Sequence, residues 1–256
     1  MERYPIRVTL LANAGVLIRY RDTALLLDGV FGKKDNPFSE LPAGCRDAML
    51  RGRPPFERLD YLLFSHYHPD HFTPGMVREL LERRTVKGLF YPADGAPQVQ
   101  CLDDWLCRRG IPCVTLSHKT DRAVIRVEPY ITVQAFMTTH LGPEYRDVPH
   151  VCYLLSFDGR HVLFTADTDY LHEDFSRLGD MPLDAVFLNP LFYRAYFSDR
   201  LFHGHFHTDT LCVYHVPFRK DDRMHMQDMA RRLPPGAAEQ KLRVLPLTEP
   251  MQQIEL

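Results

Sequence analysis

The sequence predicts an α/β fold in which helices cover β-sheets, and two observations lead to this prediction. First, many short apolar runs, such as GVLIRY, ITVQAF and HVLFTAD, are rich in Val, Leu, Ile and Phe, and Gly, Pro or Asp often bounds them, as is typical of strands. Second, helical periodicity occurs in TPGMVRELLERR, VQCLDDWLCRRG and DDRMHMQDMARRL, between strand-rich stretches. Strands outnumber helices, which favours sheets with a helical cover over a bare β-sandwich.

Individual elements follow from local signals. Thr73 is a plausible N-cap for the first periodic helix, with Pro74 at the first helical position. Two stretches are predicted to be irregular: residues 31–58, which carry Pro and Gly throughout, and residues 193–209. A methionine stripe at helical spacing is predicted to pack in the core: Met224, Met226 and Met229.

The composition is that of an ordinary globular protein. A chain of 256 residues that is 45% hydrophobic and 25% charged can bury a core, and its net charge of −2 does not indicate a nucleic acid or an anionic membrane surface as partner. No apolar run reaches bilayer length and the N-terminus lacks the features of a signal peptide, so we expect a cytoplasmic protein. The six cysteines are dispersed and are predicted to be reduced, mostly buried thiols.

One short stretch carries an unusual density of polar rings. Residues 64–72 read FSHYHPDHF and contain His66, His68, Asp70 and His71. An apolar strand precedes them and a helix follows, so they lie on a strand-to-helix loop, where ligand sites are commonly built. In extended geometry His66 and His68 share one face, while Asp70 and His71 at the turn reach a second point. This stretch is therefore interpreted as a loop that serves two metals.

Three further candidate ligands end strand-like runs. They are His140 after ITVQAFMTT, Asp167 in HVLFTAD and His215 in LCVYH. Each could by itself be a satisfied histidine or a turn-forming aspartate, and their number and order favour a metal site. Imidazole and carboxylate donors without thiolates suit zinc, and also iron or manganese.

The motif HxHxDH after an apolar strand resembles the signature of the metallo-β-lactamase-fold hydrolases, and residues 66–71 match it at every fixed position. The resemblance spans most of the chain in the usual order of that family, from a strand pair that ends in Asp28 to the late His215. It implies a four-layer αββα sandwich, with residues 1–256 as a single domain and a dinuclear metal site along one edge of the β-sandwich.

The resemblance also implies a role for each residue. One metal would be held by His66, His68 and His140, and the other by Asp70, His71 and His215, with Asp167 bridging both. Asp28 is expected to order the His loop without binding metal. The sequence departs from the family at Ala166, where a Gly is usual before the bridging Asp. Asp169 is interpreted as a capping or supporting carboxylate.

The last ligand has competitors in the segment FHGHFHTD, which contains His203, His205 and His207. His215 is preferred because it ends a clean strand and precedes Pro217. The alternating histidines would share one side of an extended segment. This pattern favours His205 and His207 as substrate-facing residues, with a polar edge of solvated rings as the alternative.

Two bound metals imply a hydrolytic reaction. Zinc can bring the pKa of a bound water to about 7, and the resulting hydroxide would attack a carbonyl or phosphorus while Asp70 orients it or moves its proton. The sequence looks most like the lactonase and phosphodiesterase branches, which predicts hydrolysis of an ester, lactone or phosphodiester bond of a small metabolite. Zinc is the favoured metal, with manganese or iron as alternatives.

Other functions are also open at this stage. The alternatives are a phosphodiesterase that acts on RNA or nucleotides, and a non-hydrolytic di-iron redox or sensing module on the same fold. A small-molecule substrate is the expected partner, with no membrane, no strong nucleic-acid signal, and a homo-oligomer left open. Residues 31–58 and 193–209 are expected to form the walls of the pocket.

Overall fold

The computed structural model describes residues 4–32, 37–93, 96–169, 172–198, 206–232 and 242–256. Within these residues the strands form two seven-stranded sheets and one two-stranded sheet. The first sheet contains β1 (Arg7–Ala12), β2 (Gly15–Tyr20), β3 (Thr23–Leu27), β4 (Tyr61–Leu63), β5 (Gly88–Pro92), β6 (Cys113–Leu116) and β16 (Gln253–Glu255). The second contains β7 (Arg122–Glu128), β8 (Ile131–Thr138), β9 (His150–Phe157), β10 (Arg160–Phe164), β12 (Ala185–Leu188), β14 (Thr210–Val213) and β15 (Arg243–Pro246). The small sheet pairs β11 (Pro182–Leu183) with β13 (His207–Thr208).

The order of the strands brings several strand ends to one edge. The first sheet has the order β16-β1-β2-β3-β4-β5-β6, with parallel pairing from β3 to β6. The second has the order β15-β14-β12-β10-β9-β8-β7, with parallel pairing from β10 to β15. Because β9 is antiparallel to both β8 and β10, the strands β8, β10 and β14 all run in the same direction. Their carboxyl ends therefore meet at one edge of the sheet.

Helices cover the outer faces of the two large sheets. The α-helices are α1 (Cys45–Arg51), α2 (Pro74–Arg83), α3 (Pro97–Arg108), α4 (His172–Phe175), α5 (Pro190–Ser198) and α6 (Met226–Arg231), and 3-10 turns span Pro143–Tyr145 and Ser176–Leu178. None of the helices in the described part of the chain is long and apolar enough to cross a membrane.

The core lies in three layers that explain the apolar runs of the sequence. Leu25 and Leu27 of β3 join the cluster between the two sheets, while Leu26 joins the cluster under α1, α2 and α3. A third cluster packs α5 and α6 on the second sheet, with Phe192 and Met226 among its members. Strands buried on both faces read as continuous apolar runs rather than as alternating ones. The predicted four-layer αββα sandwich is confirmed.

Two helices lie where irregular chain was predicted. The helix α1 forms inside residues 31–58, where Cys45 and Met49 are buried one turn apart and Gly52, with a φ of 62°, ends the helix. The helix α5 covers the start of residues 193–209, and its Tyr193 is buried on the second sheet. The free energy gained when these side chains are buried outweighs the low helix propensity of the neighbouring Pro and Gly residues.

Smaller differences concern caps and buried side chains. Thr73 and Pro74 do begin α2, but the Thr73 hydroxyl accepts a hydrogen bond from the N–H of Gly32 at 3.1 Å and so ties the preceding loop to the helix. The helix α6 begins only at Met226, and Met224 before it is exposed, so the core prediction is wrong for Met224. All six cysteines are free thiols, and those that are exposed against expectation are Cys101, Cys107 and Cys113.

Tyr153 links the two sheets directly beneath the His loop. This residue of β9 is fully buried, and its hydroxyl donates to the carbonyl oxygen of Phe64 at 2.7 Å, with the carbonyl oxygen of Phe90 at 3.2 Å. Burial raises the pKa of Tyr153 well above its ordinary value, so the phenol keeps its proton as a donor. Phe64 is the residue before the loop that begins at Ser65. The bond therefore fixes the root of that loop against the opposite sheet.

We expect Tyr153→Phe to lower the free energy of unfolding by about 1–2 kcal/mol, because a buried carbonyl loses its donor. Urea denaturation measures the change. The control is Tyr4→Phe, whose ring is 45% exposed and whose loss of a hydroxyl should change stability by less than about 0.5 kcal/mol. Equal stability of Tyr153→Phe and the unaltered protein would show that the hydroxyl adds nothing to the contact between the sheets.

Candidate metal centre

The candidate ligands follow the carboxyl ends of four strands. His66 comes after β4, His140 after β8, Asp167 after β10 and His215 after β14. Because β8, β10 and β14 run in the same direction, their ends deliver side chains to a common edge of the second sheet, and the loop after β4 approaches it from the first sheet. Because these side chains follow the strand ends, they lie at the edge of the sheet rather than in the apolar core, where burial of a polar group is costly.

Donor atoms converge in two groups within the described residues. In the first, one atom from each of four residues lies within 4.8 Å of all the others: His66, His68, His140 and Asp167. The Nε2 atoms of His66 and His140 are 3.7 and 3.9 Å from Asp167 Oδ2. In the second group the same limit holds for Asp70, His71 and His215. The structure thus brings together all seven residues that the sequence singled out.

Asp167 lies between the two groups. Its Oδ2 is 3.3 Å from His71 Nε2, and its Oδ1 is 3.3 Å from His215 Nδ1. Within the second group, His71 Nε2 is 3.0 Å from His215 Nε2, and Asp70 Oδ2 is 3.2 Å from the same His215 atom. Asp167 Oδ2 therefore faces histidines of both groups and Oδ1 faces the second group, so this carboxylate can serve both.

The protonation of the rings suits a metal. His71 Nδ1 is 3.0 Å from Asp28 Oδ2, and His140 Nδ1 is 2.7 Å from the carbonyl oxygen of Leu141. Such oxygens only accept, so each ring carries a proton on Nδ1, and a cation at Nε2 would take the place of any proton there. Among the described side chains, the Nε2 atoms of His66 and His140 are buried without a hydrogen-bond partner. Two divalent ions would explain donors that are otherwise costly to bury.

The charges around the site also fit a cation. Although burial opposes a charge on the ring, Asp70, Asp167 and Asp28 together raise the pKa of His71 well above its ordinary value. Burial and the neighbouring imidazoles have the opposite effect on His66, whose pKa lies well below its ordinary value. Burial lowers the pKa of His68 to about 4. The site therefore combines neutral nitrogen donors with carboxylates that call for positive charge, and the residues present fit a pair of divalent ions.

Asp28 holds the His loop from below. It is fully buried, and it accepts hydrogen bonds from the Ser65 N–H at 2.7 Å, from the Ser65 hydroxyl at 2.6 Å and from His71 Nδ1 at 3.0 Å. The Ser65 oxygen also lies 2.9 Å from His66 Nδ1. One carboxylate therefore orients a ring in each group, which is the position that the sequence analysis predicted for it.

His150 is a residue of the site that the sequence did not assign. Its ring is fully buried, with Nδ1 2.7 Å from Thr138 Oγ1, and its Nε2 accepts the backbone N–H of Asp167 at 3.1 Å. The ring centroids of His66 and His140 lie 5.2 and 5.6 Å away. His150 thus supports the turn that carries Asp167. The register that pairs it with Thr138 across β8 and β9 is a tertiary feature that no sequence signal identifies.

Left-handed backbone aims two of the strand-end side chains. Ala166 has a φ of 47° and His215 a φ of 58°. The peptide groups around Ala166 are fixed on both sides, because its N–H donates to the Tyr214 hydroxyl at 2.8 Å and its carbonyl accepts from Asn189 Nδ2 at 3.0 Å. A Gly is usual at such a φ, which explains physically why the alanine here stood out in the sequence.

Of the remaining predicted residues, Asp169 and His207 belong to neither donor group. Asp169 is half-buried, its backbone N–H donates to the carbonyl of Thr139 at 2.7 Å, and it belongs to neither group. His207 lies on β13 of the small sheet, half-exposed, with Nε2 3.7 Å from Asp180 Oδ1. It does not line the cavity over the metal centre. His203 and His205 lie outside the described residues.

A cavity of about 410 Å³ opens above the two donor groups. Its floor includes His68, Asp70, His140, Asp167 and His215. Phe38, from the predicted wall segment 31–58, lines it. On the other side the wall is Leu191, which precedes residues 193–209 in α5. The site is thus an open cleft in which a ligand can reach both groups.

Solved structures of similar fold come from diverse proteins. Igni18, a novel metallo hydrolase from the archaeon Ignicoccus hospitalis, is 14% identical, with 98% of each chain covered and a TM-score of 0.66. CmlA, a diiron β-hydroxylase from Streptomyces venezuelae, is 18% identical over all of this chain and 54% of its own, with a TM-score of 0.63. Human tRNase Z, short form, is 11% identical over 97% of this chain and 98% of its own, with a TM-score of 0.56. At such identities the likeness concerns the fold alone.

Sequence comparison gives the family. No curated protein sequence matches the chain significantly. A family model described as the beta-lactamase superfamily domain matches residues 24–231, a range that contains Asp28 and all seven candidate ligands. With this match and the αββα sandwich, the chain belongs to the beta-lactamase superfamily of the metallo-β-lactamase fold.

Proposed function

We propose that this protein is a hydrolase that uses two divalent metal ions, with zinc favoured, to cleave an ester, lactone or phosphodiester bond of a small molecule. The observation that carries the proposal is the sharing of Asp167 between two groups of donors at the floor of an open cavity. When bound, such ions supply an acidified water and polarise the bond to be cleaved.

The residues of the chain have separate tasks in this reaction. His66, His68 and His140 would hold one ion, Asp70, His71 and His215 the other, and Asp167 both. Burial alone would raise the pKa of Asp70, but His71 and His215 outweigh it and hold the pKa below its ordinary value. Asp70 is therefore ionised at neutral pH and can accept a proton from the attacking water. Asp28 and His150 would keep the ligands oriented while this happens.

The same donor set also suits iron, so a di-iron redox or sensing function is the main alternative. Metal analysis separates the two, because a di-iron protein would retain iron and change its visible absorption on reduction. A zinc-loaded protein that hydrolyses its substrates in a chelator-sensitive way supports hydrolysis.

Removal of a ligand from either group should abolish activity. We expect His140→Ala and His215→Ala each to lose about one metal equivalent per chain and to lower kcat/KM more than about 100-fold, which exceeds the usual effect of a supporting residue. Elemental analysis gives the metal content. Activity is followed with p-nitrophenyl acetate, bis(p-nitrophenyl) phosphate and a γ-lactone.

The matched control for these variants is His118→Ala, an exposed histidine outside both groups. It should keep the metal content and activity of the unaltered protein. If His140→Ala and His215→Ala also kept both, the proposed metal centre would be wrong.

His150 should matter for metal affinity although it is not a ligand. We expect His150→Leu to weaken metal binding about 10–100-fold, because the Asp167 N–H loses its acceptor. His150→Gln carries both an acceptor and a donor and should restore most of the affinity. Competition with a chromophoric chelator measures the affinities. The same loss in both variants would contradict a hydrogen-bonding role and indicate a packing role instead.

A further inference from the structure

The walls of the cavity over the metal centre differ sharply from its floor. The floor carries the charged and imidazole ligands, whereas the walls are built mostly of apolar side chains. The wall residues that matter here are Phe38, Leu141, Tyr145, Leu191, Met224 and Met226. They come from segments that are far apart in the chain. The volume of about 410 Å³ lies in the range of small-molecule sites.

Part of the exposed apolar surface lies at the mouth of this cavity. Among the described residues, few large hydrophobic side chains are exposed, and three of them line this cavity: Tyr145 at 42%, Leu191 at 43% and Met224 at 40%. Each belongs to a different element, namely the Pro143–Tyr145 turn, the start of α5 and the segment before α6. Scattered exposed side chains need no explanation, but a group around a polar floor indicates a surface that a ligand covers.

The charge of the cavity limits the ligand further. None of the described residues that line it is a Lys or Arg. With two divalent ions bound, the carboxylates of Asp70 and Asp167 would leave a charge of about +2 on the floor. This charge can stabilise the negative charge that develops on one reacting group. The described walls offer no cationic side chain for additional phosphates, such as a nucleic-acid backbone requires.

The walls contain two polar side chains, Tyr145 and Asn189, and the amide of Asn189 is already engaged. Asn189 donates from Nδ2 to the carbonyl oxygen of Ala166 at 3.0 Å, and its Oδ1 accepts the N–H of Phe192 at 2.8 Å. Its amide therefore serves the protein rather than a polar ligand. Apart from the Tyr145 hydroxyl, the described walls therefore offer a ligand mainly apolar contact.

We infer that the substrate is an uncharged carboxylic ester whose acyl group carries an apolar arm, and that this arm lies against Leu191 and Met224. The inference rests on the proposed hydrolytic function and narrows its substrate class. In the reaction the oxygen of water bonds to the acyl carbon, the bond from that carbon to the alkoxy oxygen breaks, and the alkoxy oxygen takes a proton. The products are an alcohol and a carboxylate with the apolar arm, and the second proton of the water is released to solvent.

The first test is a chain-length series on the metal-loaded full chain. p-Nitrophenyl acetate, butyrate and hexanoate keep the leaving group constant while the acyl arm grows. We expect kcat/KM to rise about fourfold for each methylene that the wall covers. p-Nitrophenyl hemisuccinate places a carboxylate in the arm and should react at least tenfold more slowly than the butyrate, and bis(p-nitrophenyl) phosphate should also be slower than the hexanoate.

Variants of the wall locate the contact. Leu191→Gln and Met224→Gln should each lower the ratio of hexanoate to acetate kcat/KM by about tenfold, because a polar amide replaces apolar surface. Met251→Gln is the matched control, since Met251 is 37% exposed but does not line the cavity. It should leave the ratio unchanged.

A binding measurement tests the wall without catalysis. N-Phenyl-1-naphthylamine is an uncharged fluorescent probe that reports apolar surfaces, and it can be titrated into metal-free protein. We expect Leu191→Gln and Met224→Gln to weaken its binding at least fivefold, and Met251→Gln to leave it unchanged.

The outcomes separate the two hypotheses. Chelator-sensitive hydrolysis with no gain from acetate to hexanoate, or with the phosphodiester as the best substrate, would overturn the apolar arm and leave the proposed function standing. Wall variants that keep both the ratio and the probe affinity would overturn it as well. If no ester, lactone or phosphodiester is hydrolysed with metal, the proposed function fails and the inference fails with it.

Discussion

The geometry of the metal centre depends on one buried carboxylate, that of Asp28. A buried carboxyl group without contact to water is costly unless donors surround it, and here Ser65 supplies two and His71 a third. The backbone N–H of Asp28 bonds to the carbonyl of Leu63, so the carboxylate is also fixed to the ladder between β3 and β4. Strand pairing, loop shape and ring orientation are thus coupled through one residue. The orientation of the His66 and His71 rings therefore depends on Asp28.

The two sheets contribute to the centre in different ways. The first sheet supplies a compact loop with four donors in six residues, held by Asp28 and Tyr153. The second supplies single residues at the ends of β8, β10 and β14, with His150 beneath them. A metal ion in either group would join residues from both sheets. The centre is therefore also a contact between halves of the molecule that are distant in sequence.

Much of this arrangement could be predicted from the sequence, because strand ends are visible as apolar runs that stop at a polar residue. His140, Asp167 and His215 were found in this way, and β-strand direction brings them together. His150 was missed because its role depends on cross-strand register with Thr138, which one sequence does not encode visibly. Met224 was assigned to the core from helical spacing, but α6 begins after it and leaves it at the cavity. The helices α1 and α5 were hidden because burial on a sheet outweighed weak local signals.

The orientation of the Asp167 side chain depends on the left-handed backbone at Ala166, and this backbone depends on the residues packed around it. A left-handed alanine is disfavoured by about 1–2 kcal/mol, so the conformation persists only because Tyr214 and Asn189 hold the adjacent peptide groups. When heat or a remote mutation weakens the hydrogen bonds to Tyr214 and Asn189, a return to the right-handed region lowers the conformational free energy of Ala166. The Asp167 carboxylate then turns away from the histidines of the two groups. The donor groups should thus lose their arrangement before the chain unfolds, so the candidate metal centre is the first part of the molecule to respond to a weakened core.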